Sequence, residues 1–288
     1  MPELPEVETI KKGLEKKIVN KKIIDFDCDW QKMINYPLAE YKNIIKCLTI
    51  NNLRRRAKML IIDLSNDWHI LIHLKMTGQL VYKTAKQCLI GGHPIKAGFE
   101  CLPNKFTHAQ FKLSDRSYLF FNDVRKFGWL KLYKTAELNQ YINSLHLGPE
   151  PLQSEFSLQY LKIKIKARPK VKIKQFLMDN KMVVGVGNIY SDEVCFFAGV
   201  KPTRLNKNLT NKQIELIHQG IKNILKQSIK AQGTTFNNYR NSDGKSGNFS
   251  KMLKVYGRAG LSCYKSKDKL IKIKIGGRSS TYCPSCQK

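Results

Sequence analysis

The stretch IKIKIGGRSSTYCPSCQK, residues 271–288, carries the clearest fold signal in the sequence. Its first five residues have the composition of a β-strand, and the Gly276-Gly277 pair that follows is typical of a tight turn. A second short run starts at Arg278 and leads into two closely spaced cysteines. The stretch therefore predicts a β-hairpin with Arg278 at its tip.

The cysteines beside this hairpin have metal-ligand spacing. Cys283 and Cys286 are separated by two residues, as in structural zinc sites, which need a second such pair upstream. Upstream, Cys263 is present but Ser266 stands where its partner is expected, and no histidine follows. Three thiolates do not close a tetrahedral site. Zn²⁺ is therefore left in doubt: either the fold persists with weak or absent metal, or an outside group supplies the fourth ligand.

The charge of the chain is strongly positive and uneven. The 288 residues carry a formal net charge of +29, and residues 201–288 hold 19 Lys and Arg but only three acids. This excess indicates a polyanionic partner, although drift of the composition toward Lys, Asn and Ile would give a basic surface with no ligand. Hydrophobic residues make up 42% of the chain, which supports packed cores and, with the length, two domains.

Several classes of protein are excluded at this stage. No apolar run approaches the roughly 18 residues of a membrane span, and the N-terminal MPELPEVETIKKG lacks the apolar core of a signal peptide. Eight cysteines in a chain of this length do not form a disulfide framework. We expect an intracellular protein with reduced thiols.

The first half of the sequence predicts a helix and then strands. Val7, Ile10, Leu14 and Ile18 recur at helical spacing directly after the N-terminus. From about residue 20 to residue 134, short β-rich runs are separated by turn residues, which is typical of an antiparallel sandwich or barrel. Residues 87–103, rich in Gly, Pro and Lys, are expected to form a long loop between strands.

The second half is mainly helical. Two prolines in LGPEPL indicate extended backbone and a domain boundary, and helical patterns follow in IKQFLMDNK, SDEVCFFAG and NKQIELIHQGIKNILKQSIK. The polar stretch 233–247 is too long for an ordinary turn and is expected to be a functional loop.

The extreme N-terminus has nucleophilic potential. If Met1 is removed, Pro2 presents a secondary amine, and α-amino groups titrate near about 8. Such an amine can attack a sugar aldehyde carbon and form an iminium, with Glu3 and Glu6 as neighbouring proton donors or acceptors. The alternative is structural: acids and Pro5 favour a helix N-terminus.

Nine stretches, in order along the whole sequence, resemble bacterial formamidopyrimidine-DNA glycosylase. This family removes oxidised purines such as 8-oxoguanine and formamidopyrimidines from DNA and then cuts the backbone at the abasic site. The stretches are MPELPEVET, RRRAKML, IHLKMTG, NDVRKFG, LGPEPL, LMDNKMVVGVGNIYSDE, GTTFNNYRNSDGKSG, VYGRAGLSC and GGRSSTYCPSCQK.

The resemblance implies an α+β fold: an N-terminal helix plus an antiparallel β-sandwich, then a helix–two-turn–helix domain ending in a zinc-finger-like β-hairpin. The expected divisions are a catalytic sandwich domain at 1–135, a linker at 136–151, a helix–two-turn–helix DNA-binding domain at 152–250 and the hairpin at 251–288.

The resemblance also implies four catalytic roles. Pro2 matches the nucleophile that attacks C1′ of the damaged nucleotide, and Glu3 the acid that assists opening of the sugar ring. Lys58 matches the lysine assigned to proton transfer in β-elimination. Arg278 matches the arginine of δ-elimination, whose guanidinium can also hold a phosphate bidentately.

Six residues match DNA contacts of the family. Met76, Arg125 and Phe127 match the residues that fill the gap left by the everted base, although each also has an ordinary structural interpretation as a core or surface residue. Asn188, at the glycine run between two helices, matches a phosphate contact, and Lys170 and Lys174 are further candidates. The 233–247 loop corresponds to the segment that closes over the everted base.

Two further departures from the family pattern concern DNA contacts. Phe106 stands where a DNA-contacting histidine is usual, and Pro169 where a phosphate-contacting lysine is usual. Both are expected to weaken DNA contact locally, with Arg168 and Lys170 as compensation. Neither touches the four catalytic matches, so the chemistry is expected to survive.

The function that follows is a base-excision-repair DNA glycosylase and abasic-site lyase for oxidised purines. The alternatives are an endonuclease VIII-type glycosylase for oxidised pyrimidines and a non-catalytic damaged-DNA-binding protein. The expected partner is double-stranded DNA with oxidised bases or abasic sites, with no membrane. We expect a monomer in the bacterial cytoplasm, associated with the nucleoid through DNA.

Overall fold

A computed structural model of the chain describes residues 2–85, 88–92, 102–234 and 249–288. The chain divides into two compact units. The first unit comprises residues 1–144 and 231–250, and the second comprises residues 145–230 and 251–288.

Among the residues that the structure describes, the first unit contains two antiparallel sheets and three α-helices. The helices are α1 (Leu4–Ile18), α2 (Leu38–Ile45) and α3 (Thr135–Ser144). The strands are β1 (Ile23–Cys28), β2 (Ile50–Arg56), β3 (Met59–Leu64), β4 (Trp68–His73), β5 (Gly78–Lys83), β6 (Cys88–Gly92), β7 (Thr107–Leu113), β8 (Tyr118–Asp123) and β9 (Trp129–Lys134). The sheet orders are β1-β7-β8-β5-β6 and β2-β3-β4-β9, which confirms the predicted antiparallel architecture.

The apolar stripe of α1 packs into the core of this unit, as its spacing predicts. Val7, Ile10, Leu14 and Ile18 are each at most 1% exposed and belong to one cluster with side chains of both sheets. Burying each of these side chains contributes roughly 1.5–3 kcal/mol. The helix is therefore fixed from its first turn, which places the N-terminal residues against the sheets.

The second unit contains four helices and a hairpin. The helices are α4 (Leu158–Lys166), α5 (Ile173–Met178), α6 (Asn188–Phe197) and α7 (Asn211–Lys230), and the hairpin strands are β10 (Ile271–Ile275) and β11 (Arg278–Tyr282). The buried face of α7 includes Ile217, Ile221 and Leu225. The α+β fold class and the terminal hairpin are thus confirmed.

Two local features differ from the sequence predictions. Residues 88–92, expected in a loop, form β6 and pair with β5. Gly91 makes this segment resemble a loop, but its role is to let the strand pack closely against α1. A Cβ on Gly91 would lie 2.8 Å from Ile10 Cγ1. The expected linker begins inside α3, whose first turn holds the good helix formers Ala136, Glu137 and Leu138 and which buries Leu138. The domain boundaries at 135, 151 and 250 stay predictions.

Within the described residues, none of the helices is both long and apolar enough to cross a membrane.

Candidate functional site

The N-terminal residues are held by one buried carboxylate. Pro2 and Glu3 are both buried at the start of α1. Glu6 Oε2 accepts a hydrogen bond from the Glu3 backbone N–H at 3.0 Å, while Glu6 Oε1 accepts from Thr234 N at 3.0 Å and from Thr234 Oγ1 at 3.1 Å. Glu6 therefore serves as an anchor rather than as the proton donor or acceptor that its place near Pro2 suggests. It ties the residue after Pro2 to the end of the segment that follows α7.

Lys58 lies in the two-residue turn between β2 and β3 and is only 6% exposed. The turn is supported from α1, because Glu8 Oε2 accepts from Arg55 Nε at 2.8 Å and Arg55 Nη1 donates to the Ala57 carbonyl at 2.8 Å. Ala57 has a φ of 55°, a conformation that costs a non-glycine residue energy and needs such support. The position of Lys58 is thus set by the same helix that carries Glu3.

His73 is a neighbour of Lys58 that the sequence analysis did not single out. It pairs with Met59 in the β3–β4 register. Burial, together with the charges of Lys75 and Lys58, lowers the pKa of His73 to about 3. Its Nδ1 accepts from the Lys75 backbone N–H at 2.9 Å, so the neutral ring carries its proton on Nε2. His73 is therefore a neutral hydrogen-bond donor beside a buried lysine.

Met76, Arg125 and Phe127 lie together on an exposed surface of the first unit. Met76 is 45% and Phe127 is 51% exposed. Arg125 Nη1 lies 3.2 Å from Met76 Sδ, and Arg125 Cζ lies 4.6 Å from the centre of the Phe127 ring. We call these three side chains the wedge. Exposed apolar groups beside a cation are suited to enter a gap in a nucleic acid.

Asp123, which the sequence analysis did not single out, holds the loop that carries the wedge. It is fully buried at the end of β8. Asp123 Oδ2 accepts from the backbone N–H groups of Phe127 at 2.8 Å and Gly128 at 2.7 Å, while Oδ1 accepts from Arg125 N at 3.2 Å and from the Thr77 hydroxyl. The sequence signal is an Asp two residues before Arg125, a spacing typical of Asx-turns.

The junction before α6 has the features expected of a phosphate-contacting turn. Gly185 has a φ of 83°, which favours glycine, and its N–H donates to Asn180 Oδ1 at 3.3 Å. Asn188 is the first residue of α6, after Gly187 as N-cap, so it lies at the positive end of the helix dipole. Lys170 is exposed in the turn before α5.

Lys174 is not at the surface, which corrects its predicted DNA contact. Its side chain is fully buried, and Nζ donates to Asp192 Oδ1 at 2.7 Å and to the Ser279 carbonyl at 2.9 Å. Asp192 in turn accepts from Ser280 Oγ at 2.6 Å and from Thr281 N at 2.9 Å. Burial raises the pKa of Asp192, and Lys174 opposes this shift. The pair holds β11 from inside the second unit.

This arrangement supports the residue at the tip of the hairpin. Arg278 is exposed, pairs with Ile275 across the Gly276-Gly277 turn, and directly precedes the three residues held by the buried ion pair. Both glycines have positive φ, 53° and 78°, as the predicted turn requires. The adjacent acid, Glu193, accepts from the backbone N–H groups of residues 254–256, each at 2.9 Å.

The three cysteines of the hairpin module come together as a thiol cluster. The sulfur atoms of Cys263, Cys283 and Cys286 all lie within 4.8 Å of one another. Burial opposes ionisation of Cys263, but the backbone N–H groups of Ser266 and Lys265, together with hydrogen bonds from the Cys283 and Cys286 thiols, lower the pKa of this thiol to about 7. The donor set fits a thiophilic metal ion, because thiolates at this separation can share one cation.

Two family models match the chain. One, for the formamidopyrimidine-DNA glycosylase N-terminal domain, matches residues 1–130, and one, for the helix–two-turn–helix domain of the same glycosylase, matches residues 147–239. The chain belongs to the formamidopyrimidine-DNA glycosylase family. The resemblance drawn from the sequence is thereby confirmed.

Curated relatives and solved structures agree with this assignment over the full length. The formamidopyrimidine-DNA glycosylase of Desulfitobacterium hafniense is 38% identical over 288 residues and that of Rickettsia bellii 40% over 291 residues, each match covering 100% of both chains. A structure of Lactococcus lactis Fpg with DNA containing an abasic site is 32% identical, with a TM-score of 0.88 and 99% of each chain covered. A second, of wild-type Lactococcus lactis Fpg with DNA containing N7-benzyl-Fapy-dG, is 33% identical, with a TM-score of 0.88 and 100% of each chain covered.

Two expectations from the family pattern, for the 233–247 loop and for Phe106, stay predictions from the sequence. The expected closing loop at 233–247 lies outside the described residues from residue 235 onward. At the usual histidine position of the glycosylase family, Phe106 is half-buried; its carbonyl accepts from the Asp123 N–H at 2.9 Å, and Lys105 Nζ lies 5.2 Å from its ring centre.

Proposed function

We propose that this protein is a bifunctional DNA glycosylase and abasic-site lyase of base excision repair that removes oxidised purines. One observation carries the proposal: a chain of this family starts with a proline at position 2, followed by the buried Glu3 at the N-terminus of α1. After removal of Met1, such a proline supplies a secondary amine at a fixed place. The full-length family match is the supporting context.

The chemistry proceeds through one covalent intermediate. The Pro2 nitrogen attacks C1′ of the damaged nucleotide, the glycosidic bond breaks, and the base leaves with a proton equivalent to the one that the amine loses. Glu3 protonates the sugar ring oxygen as the ring opens, which leaves an iminium between Pro2 and C1′. Loss of the C2′ proton, with Lys58 in the proton transfer, expels the 3′ phosphate. A second elimination, assisted by Arg278, expels the 5′ phosphate.

The damaged base must leave the helix before Pro2 reaches its sugar, and unstacking costs a few kcal/mol. The wedge is suited to offset this cost, because Met76 and Phe127 supply apolar surface for the vacated stack. Arg125 supplies a donor for the orphaned cytosine opposite. Exposed Lys170 and the α6 N-terminus at Asn188 are proposed phosphate contacts.

The resident metal is proposed to be zinc. Cys263, Cys283 and Cys286 would hold it, since three clustered thiolates are ligands that Zn²⁺ favours. When bound, the ion ties the turn around Cys263 to the chain end and takes no part in base removal. We further propose that the protein acts as a monomer in the bacterial cytoplasm, because one chain carries every matched residue and its substrate is chromosomal DNA.

Borohydride trapping tests substrate class and chemistry together. We expect reduction to fix a covalent adduct on a duplex with 8-oxoguanine opposite cytosine, and none on an undamaged duplex. A thymine glycol duplex that gives the faster adduct would instead support an endonuclease VIII-type enzyme. Tight binding to lesion DNA without excision or adduct would identify a non-catalytic binding protein.

We expect Asp123→Ala to lower excision at least tenfold, because it removes the acceptor that shapes the wedge loop. It leaves the backbone donors of Phe127 and Gly128 unpaired, and a buried donor such as that of Gly128 then costs about 1–3 kcal/mol. Single-turnover excision and urea unfolding measure both effects. Asp115→Ala is the matched control, since Asp115 caps another turn through Ser117. Equal excision in the two variants would show that Asp123 has no special relation to the wedge.

A further inference from the structure

A hydroxyl lies beside the thiol cluster, on the residue where a fourth zinc-binding cysteine is expected. Ser266 Oγ lies 3.2 Å from Cys283 Sγ, and Cys263 Sγ lies 3.8 Å from Cys286 Sγ. Two sulfurs bound to one zinc at about 2.3 Å with a tetrahedral angle are about 3.8 Å apart. The Cys263–Cys286 separation is therefore that of a zinc ligand pair, and Ser266 approaches the same cluster with an oxygen.

The surrounding backbone prepares the sulfurs for metal binding. Lys265 N–H donates to Cys263 Sγ at 3.4 Å, and Cys286 N–H donates to Cys283 Sγ at 3.4 Å. Such donors stabilise thiolates, the form in which cysteine binds metal. The Asp268 N–H donates to Ser266 Oγ at 3.4 Å, which fixes the hydroxyl in the turn. The ligand shell is thus built into the fold.

Outside the cluster, polar contacts hold this module. Gln287 accepts from the Cys283 N–H at 2.8 Å and donates to the Val200 carbonyl at 2.8 Å. Asp192 and Glu193 hold the hairpin and the turn before it through five hydrogen bonds. The hydrogen bonds of Gln287, Asp192 and Glu193 therefore hold residues 251–288 without metal. A metal ion can bind and dissociate while these contacts persist.

A neutral oxygen is a weaker zinc ligand than a thiolate. Four thiolates saturate the ion, as in closed structural sites, whereas three protein ligands leave a position that water or an incoming group can take. We propose that Cys263, Cys283 and Cys286 form a three-thiolate site whose fourth position, beside Ser266, is filled by a neutral oxygen and exchanges ligands. The site binds one thiophilic divalent ion reversibly. This inference rests on the proposed zinc ligands but not on the proposed DNA chemistry.

Cobalt and zinc titrations of the full-length, reduced, metal-free protein test the inference. We expect one Co²⁺ per chain with the sulfur-to-metal absorption of three thiolates. Ser266→Cys should form a closed Cys₄ site, so it should bind Zn²⁺ at least tenfold tighter in chelator competition. With Co²⁺, the fourth thiolate should raise the sulfur-to-metal absorption by about a third. Ser266→Ala, the matched control, should stay within about threefold of the wild-type affinity, because water can take the fourth position.

Three results would overturn the inference. In the first, Ser266→Cys shows sulfur-to-cobalt absorption and the wild type shows none. In the second, the wild type and Ser266→Cys absorb equally. In the third, Cys286→Ser binds metal as tightly as the wild type does. All readouts are metal binding alone. Borohydride trapping in parallel separates a failure of this inference from a failure of the proposed glycosylase.

Discussion

Replacing Pro2 by glycine is expected to abolish the borohydride-trapped adduct and to lower base excision by on the order of 10³-fold or more. The variant keeps an N-terminal amine but loses the pyrrolidine ring, which makes the amine secondary and prevents rotation about its N–Cα bond. Glycine adds freedom where α1 begins, so the amine no longer points at C1′. Mass spectrometry first confirms that Met1 is absent from both proteins.

Glu3→Gln separates the nucleophile from the acid. It keeps the size and the hydrogen-bonding capacity of the side chain but cannot donate a carboxylic proton, so we expect excision to fall by about 10²-fold to 10⁴-fold. A preformed abasic site already exposes an aldehyde, and trapping on that substrate should persist. An undiminished adduct in Pro2→Gly, or equal loss on both substrates in Glu3→Gln, would contradict the assigned roles.

Lys174→Met is expected to destabilise the second unit by roughly 3–5 kcal/mol, because Asp192 would remain as a buried charge without its partner. We also expect the variant to cleave DNA more slowly, because the same ion pair holds the three residues that follow Arg278. We expect strand cleavage to fall more than DNA affinity does. Urea unfolding and cleavage assays at equal folded fraction measure the two effects.

Lys170→Met is the matched control, because Lys170 is exposed in the same segment. It should leave stability unchanged within about 0.5 kcal/mol and weaken DNA binding in a salt-dependent way, as a phosphate contact would. Pairing Lys174→Met with Asp192→Asn should recover part of the lost stability, since the unpaired charge is then gone. If Lys174→Met had wild-type stability and only bound DNA more weakly, Lys174 would be a DNA contact at the surface and not a buried partner of Asp192.

Periodic and turn-forming patterns gave correct predictions. The stripe of α1 and the Ile271–Ile275 strand depend on local spacing, and the Gly276-Gly277 turn depends on residues with few alternatives. Met76, Arg125 and Phe127 were grouped by resemblance alone, since 49 positions separate Met76 from Arg125. The structure now brings them into contact.

Features that depend on distant partners were not predictable from local sequence. Lys174 resembles a surface lysine until Asp192, 18 positions later, and the β11 backbone are placed around it. Asp123 acts on backbone N–H groups, so the local sequence shows only an acid next to a turn and not which donors it holds. The strand at Cys88–Gly92 is defined by its pairing with β5, and its Gly91 packs against Ile10 of α1, so both depend on residues far away in the sequence.

The contacts within the wedge bear on how such a protein would search undamaged DNA. Arg125 already touches Met76 and lies over Phe127, so the three side chains form one preassembled group. Ordering a flexible side chain during binding costs about 0.5–1.5 kcal/mol, and here much of that loss precedes any encounter. If the wedge enters the base stack as proposed, this preassembled group would test each base-pair step with little further ordering of its side chains. Non-specific electrostatic attraction would hold the protein on DNA as it slides, and the protein would pause only where base stacking is already weak.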